Sequence, residues 1–257
     1  IVRNLITGNK TEVQIQAMRE GGKILARILR ELTEFSKVGT TGLEVDAFAR
    51  KKIKEYGAKS AYLTPDVNFP GVVCISVNDC VVHGAPNDIP FEKGDVVKFD
   101  MVIEFKGMMT DSATTTVIGE EPKGAVKHLL NDTKKALSAG IAVVKPGVKT
   151  GDIGAAVEKS LKKSKLGNVR ELVGHGVGLK MHMAPEVPNY GKAGTGVVFQ
   201  EGDTFCIEPM TSLGKGDVIF NGTDSEWDVL MRDGSLSAHF EHTILVTKDG
   251  AEILTLE

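Results

Sequence analysis

Two apolar periodicities alternate along the chain. Between 11 and 32, Ile15, Met18, Leu25, Ile28, Leu29 and Leu32 recur at three- and four-residue spacing and share one face of a predicted helix. That segment opens with Thr11-x-x-Gln14, a capping box in which side chain and backbone satisfy each other's first-turn hydrogen bonds. LEVDAFARKKIKEY at 43–56 and DIGAAVEKSLKKSK at 152–165 read as further helices. So does 124–143, with Val126, Leu129, Leu130, Ala136 and Leu137 toward one side. Elsewhere the pattern is that of strands: VVKFDMVIEF at 96–105 and MMTDSATTTVIG at 108–119 flank Lys106-Gly107, a two-residue hairpin turn. SLSAHFEHTILVT at 235–247 predicts one long strand.

These elements repeat. FEKGDVVKFD begins at 91 and FQEGDTFCIE at 199, an offset of 108; KVGTTG at Lys37 and KPGVKTG at Lys145 keep the same offset. Each half therefore reads helix, helix, then antiparallel strands. Two copies do not make a solenoid; they predict one α+β domain over 1–257, with pseudo-symmetric halves at roughly 1–120 and 121–257 and a site on the axis between them. No Pro- or Ser-rich linker divides the chain.

Both repeated strands end on an acid, Asp100 and Glu208. With a two-residue turn at Lys106-Gly107, Asp111 lies opposite Val102, and Asp100 is its diagonal neighbour on the same face. Glu241, an acid leading into a β-rich run, resembles Asp111 and is read as its counterpart. Four carboxylates converging on one axis are very costly to bury unless cations sit among them or some are protonated. Oxygen-rich sites suit Mn, Fe(II), Co or Zn, and four acids exceed one ion's needs, so two ions about 3.5–4 Å apart are the better expectation. Of six histidines, His83 and His175 each precede glycine after an apolar stretch, and His182 follows in the same segment as His175. His128 and His239 are read as structural or surface residues, and His242 as pointing to the face opposite Glu241.

Composition narrows the class. A net charge of −3 gives no reason to expect nucleic acid or an anionic membrane as partner. Three cysteines without a CxxC pair argue against a disulfide framework or zinc ribbon and fit a reducing compartment. The first residues lack the plan of a signal peptide, and no apolar run approaches the ~20 residues of a membrane span, so a cytoplasmic protein is expected.

The motifs CISVNDCVVHGAP (74–86), GDVVKFDMVIEFKGMMTDSA (94–113), VGHGVGLKMHMAPEVPNYG (173–191), CIEPM (206–210) and LSAHFEHTILVT (236–247) together resemble the type I methionine aminopeptidases of the bacterial kind, over essentially the whole chain. The resemblance implies the pita-bread fold and a monomer that hydrolytically removes the N-terminal methionine of peptides and nascent chains when the second residue is small. It places the five metal ligands on Asp100, Asp111, His175, Glu208 and Glu241, holding two divalent ions (Co, Mn, Fe(II) or Zn). Asp111 and Glu241 bridge them, and Glu208 also takes the proton of the attacking water. His83 and His182 become catalytic and substrate-binding, as donors to the scissile amide or oxyanion. Phe69, Cys74, Met181, Trp227 and Tyr62 are the expected methionine pocket.

The chain departs from the family's pattern at Met183, where glutamate is usual, and at YLTPDVNFPG (62–71), a run normally richer in aromatics. It has no room for the N-terminal domain of prolidases, the helical insert of type II enzymes or a zinc-finger extension. A thiolate ligand at Cys206 is a minor expectation. Lys159, Lys162, Lys163 and Lys165 form a basic helix end, read as a solvated face before a ribosome-facing patch. The alternatives are an Xaa-Pro aminopeptidase or prolidase, and a non-catalytic pita-bread binding protein.

Overall fold

A computed structural model describes residues 10–221 and 225–257; the first nine residues, part of the stretch read against a signal peptide, lie outside them. Helix α1 spans Glu12–Phe35 with the Thr11–Gln14 capping box closed at its start. Helix α2, Gly42–Glu55, begins on a second capping box, Thr41 with Glu44. Helices α3 (Gly124–Ala142) and α4 (Thr150–Ser164) repeat the pair in the second half.

The strands of the first half are β1 (Lys59–Ser60), β2 (Cys74–Val77), β3 (Cys80–Val82), β4 (Val96–Phe105) and β5 (Met108–Val117). Those of the second are β6 (Gly167–Asn168), β7 (Gly174–Gly176), β8 (Met183–Val187), β9 (Thr204–Ile207), β10 (Met210–Ser212), β11 (Val218–Phe220), β12 (Val229–Met231), β13 (Ser237–His239), β14 (His242–Val246) and β15 (Ala251–Ile253). All pairings are antiparallel. β4 is flanked by β1, β2 and β5, while the largest second-half sheet runs β15-β14-β9-β7-β8. The long strand expected over 235–247 is instead two, β13 and β14, interrupted at Phe240 and Glu241. The break lets the chain leave β10 and join β9, and Glu241 itself bridges to Ala113 across the two halves.

Period two explains how acids enter strands whose other side is core. On β4, Val97, Phe99, Met101 and Ile103 pack against Leu25, Ile28 and Leu32 of α1 and Val45, Ala49 and Ile53 of α2. The intervening Asp100 therefore faces the other way. On β9, Phe205 and Ile207 pack under Leu129, Leu137, Ile153 and Val157 of the second helix pair, so Cys206 and then Glu208 face the same interior. The helices cover one side of the sheet system and the acids line the other.

The repeated phrase has a local cause. Asp95 Oδ2 accepts from the Glu92 amide at 2.8 Å, and Asp203 Oδ2 accepts from the Gln200 amide at 2.7 Å. The glycines between, Gly94 (φ 92°) and Gly202 (φ 88°), take the left-handed conformation that such a tight turn requires. Each turn starts a site-bearing strand in a fixed register.

Candidate metal centre

The hairpin register pairs Val102 with Asp111 and Asp100 with Ala113, as a two-residue turn at Lys106 (φ 50°) and Gly107 (φ 82°) requires. In the second half, Ile207 pairs with His242 and Met210 with His239, which leaves Glu208 facing Glu241. Applying the 108-residue offset to these pairs corrects one expectation. Glu241 occupies the register position of Ala113, and the counterpart of Asp111 is His239.

The strands thus bring Asp100, Asp111, His175, Glu208 and Glu241 to the floor of one cavity of about 700 Å³. Asp111 is 4% exposed and Glu241 1%. His175 Nε2 stands 3.4 Å from Asp111 Oδ2 and 3.3 Å from Glu208 Oε1. Its Nδ1 lies 3.0 Å from the Gly176 carbonyl, which fixes the ring's orientation. Glycine is needed on both sides of His175. A side chain at Gly174 would strike the Cys206 carbonyl, and one at Gly176 the Ala184 carbonyl, so β7 could not pass between β9 and β8.

Electrostatics gives the cluster its demand for a cation. Burial, and then the charges of Asp111 and Glu208, push the Asp100 and Glu241 carboxyls well above the ordinary range. Burial works to lower the His175 pKa, but the hydrogen bond with Asp111 and the charges of Glu208 and Asp111 outweigh it and raise it to about 9. Asp111 Oδ1, Glu208 Oε1 and Glu241 Oε1 are buried with no hydrogen-bond partner. Orphaned acceptors of this kind cost several kcal/mol unless something positive sits between them, and a mixed carboxylate–imidazole set fits a borderline divalent ion. Cys206 reaches the group formed by Asp111, His175 and Glu241, with these donor atoms all within 4.8 Å of one another. Burial and the adjacent acids raise its pKa well above the usual thiol range, which keeps the proton on sulfur.

The cavity's wall is apolar. Tyr62, Phe69 and Cys74 form a buried cluster with Met181 and Trp227 packed against it. Phe69 makes edge contacts with both Tyr62 and Trp227, at 5.4 Å between ring centroids in each case. The atypical loop 62–71 supplies the first two of these rings, and Met183 lines the same cavity. His83 and His182 both line it, and the His182 ring meets His175 edge-on at 4.3 Å. Loss of solvent holds both pKa values below the usual histidine value, so each ring is neutral near pH 7. His83 sits at φ 61°, left-handed for a residue with a side chain. Gly84 follows because a side chain there would strike the Ile75 carbonyl.

Two of the remaining histidines fall where the sequence places them. His128 is half-exposed and links the helix pair, with Nε2 2.9 Å from the Ser164 carbonyl and Nδ1 2.6 Å from Asp132. His242 points away from the cavity, to Thr255 Oγ1 at 2.8 Å. For His239, read as structural or surface, the surface half is corrected by its position. It is fully buried, with Nε2 3.5 Å from Glu208 Oε2 and 3.8 Å from Glu241 Oε2. The signal was present in AHFEH, because residues two apart on a strand share a face and 239 precedes Glu241 by two.

With the geometry in place, the chain belongs to metallopeptidase family M24, whose sequence profile matches residues 16–248. It is 39% identical to the methionine aminopeptidase of Mycoplasma capricolum, over 96% of this chain and 97% of that one. It is likewise 39% identical to the Rickettsia prowazekii methionine aminopeptidase, over 96% and 94% of the two chains. The crystal structure of the Rickettsia prowazekii enzyme superposes with a TM-score of 0.93 over 98% of this chain and 100% of the other. A prolidase from Pyrococcus furiosus shares the fold at a TM-score of 0.78 but is 22% identical, and this chain covers 67% of it. The resemblance to bacterial-type methionine aminopeptidases and the α+β pita-bread architecture are therefore both borne out, and the family is one of metal-using peptidases. No described helix is long and apolar enough to cross a membrane.

Proposed function

We propose that this chain is a methionine aminopeptidase that hydrolyses the bond after an N-terminal methionine, with a small second residue, on peptides and nascent chains. One observation carries this reading: buried acids and His175 form the floor of a cavity whose wall is aromatic, thioether and thiol. Asp100, Asp111, His175, Glu208 and Glu241 are the residues that would hold two divalent ions, of Co, Mn, Fe(II) or Zn. Ions held there would supply Lewis acidity, lowering the pKa of a water toward neutrality.

The protein's own groups do the rest. Glu208 has Oε1 3.3 Å from His175 Nε2 and Oε2 3.5 Å from His239 Nε2 at the cavity's floor, and it accepts the proton that the water loses. His83 and His182, neutral and free to donate from the cavity wall, hydrogen-bond the carbonyl oxygen as charge develops on it. Tyr62, Phe69, Cys74, Met181 and Trp227 take the methionine side chain and exclude water, with sulfur–aromatic contact adding to burial. The substrate's free amine is taken up at the acidic floor, which restricts cleavage to the first residue. We place the protein in the cytoplasm as a monomer. The test is hydrolysis of Met-Ala-Ser against Ala-Pro-Ala peptides with Co, Mn, Fe(II) or Zn supplied. Release of methionine from the first alone is expected; cleavage of Ala-Pro-Ala alone, or of neither, overturns the reading.

A further inference from the structure

We propose that His239 is a sixth protein ligand of the metal centre, donating through Nε2 to an ion it shares with Glu208 and Glu241. The inference rests on the two-ion reading above and adds a residue to it.

Three observations carry it. The first is burial without partners. His239 has no solvent exposure, and neither Nδ1 nor Nε2 has a hydrogen-bond partner. Its backbone is fully used, because the amide donates to Thr115 Oγ1 at 3.0 Å and the carbonyl accepts from the same hydroxyl at 2.7 Å. The strand is therefore pinned and the ring cannot withdraw. An imidazole buried with both nitrogens idle is costly; a cation at Nε2 removes that atom's share of the cost, and Nδ1 lies 4.0 Å from Asp100 Oδ2.

The second is distance. Nε2 lies 3.5 Å from Glu208 Oε2 and 3.8 Å from Glu241 Oε2, beyond a good hydrogen bond. Two donor atoms each about 2.0–2.2 Å from one ion stand roughly 3–3.6 Å apart, a spacing that the Glu208 oxygen meets and the Glu241 oxygen exceeds slightly. His175 keeps the same relation to the other oxygen of Glu208, at 3.3 Å. Glu208 thus lies between two imidazoles, one for each carboxylate oxygen.

The third is register. Val102 pairs with Asp111 in the first half, and its counterpart Met210 pairs with His239 in the second. The repeat puts His239 where its mate puts a metal-binding carboxylate. A second imidazole also shifts the donor set away from Mn and toward Fe(II), Co and Zn.

The test uses the full chain stripped of metal and titrated with Co(II), read by calorimetry, visible absorption and proton NMR of the loaded protein. Two Co(II) and two strongly hyperfine-shifted, solvent-exchangeable histidine ring N–H signals are expected in the native protein. His239→Gln is expected to lose one of those signals and to bind one Co(II) at least about tenfold more weakly. A native protein with two Co(II) and one such signal overturns the proposal, and this holds even if the variant does not fold. A variant that loses affinity yet keeps both signals overturns it too, because His239 would then only brace Glu208. In either case, release of methionine by the native protein leaves the functional reading standing, so the two fail separately.

Discussion

Asp111 shows how one side chain can be unfavourable to the fold and yet, on the proposed two-ion reading, required by the site. It is buried against Asp100, Glu208 and Glu241, whose mutual repulsion is relieved by protons or by cations. Asp111→Ala is expected to abolish peptidase activity and lower divalent-metal uptake, while the metal-free variant melts no lower than metal-free native protein. Metal analysis beside a thermal melt decides it, and full activity in the variant would remove Asp111 from the centre. His83 makes the same trade in its backbone. At φ 61° it carries strain of about 1 kcal/mol that glycine would not. His83→Gly should therefore gain up to about 1 kcal/mol in urea unfolding while kcat/KM falls about 10²–10³-fold. Metal content should be unchanged, because His83 belongs to neither group of donor atoms that could hold an ion.

The elements show which parts of this were readable in the chain. Helices and the β4–β5 hairpin announced themselves by period and by turn chemistry, and Val102 does face Asp111. The 108-residue offset was equally plain, because EKGD and QEGD each need an acceptor and a left-handed glycine to start a strand. The symmetric mate of Asp111 was not readable. Likeness of sequence pointed to Glu241, whereas strand register, set by which residues pair across β10 and β13, points to His239. Lys98 was missed for a related reason: nothing in a strand's alternation marks a lysine whose tip returns to the core. It is 1% exposed, and its Nζ donates to the Asn78 and Val96 carbonyls at 2.8 and 3.3 Å and to Ser237 Oγ at 3.2 Å. That clamps β4 to β13, the strand that carries His239. Burial pushes its pKa down to about 7, from 10.5. Between those values the unfolded chain holds the extra proton, so stability contributed here rises with pH from 7 to about 10.5. Lys98→Met should lose that rise and cost about 1–3 kcal/mol at pH 7 through the oxygens left unpaired. Urea titrations of metal-loaded native and variant protein at several pH values compare the two directly, and parallel pH dependences would rule the clamp out.

Taken as a whole, the molecule is two helix-backed half-sheets that meet at a charged seam, with Glu241 of one half bridged to Ala113 of the other. Its stability should therefore depend on what occupies the seam. Without metal, Asp100 and Glu241 have pKa values raised well above 3.8 and 4.5, so at intermediate pH the folded state binds more protons than the unfolded chain. Stability of the metal-free protein then falls as pH rises from about 4, by roughly 1.4 kcal/mol for each pH unit and each carboxyl so displaced. His175, raised from 6.5 to about 9, adds in the same direction: its contribution is full below 6.5 and is lost as pH climbs toward 9. Divalent ions take the place of those protons and bind better as the ligands deprotonate, so the loaded protein moves the other way. The melting temperature of metal-saturated protein should therefore exceed that of chelator-treated protein by a margin that widens steadily between pH 5 and pH 7.5. Asp111→Ala should narrow the margin, since one charge has gone and metal binds less well. Calorimetric melts of both forms across that range measure it. A margin independent of pH would mean that the acids at the seam are solvated after all, and that the two halves do not rely on cations to meet.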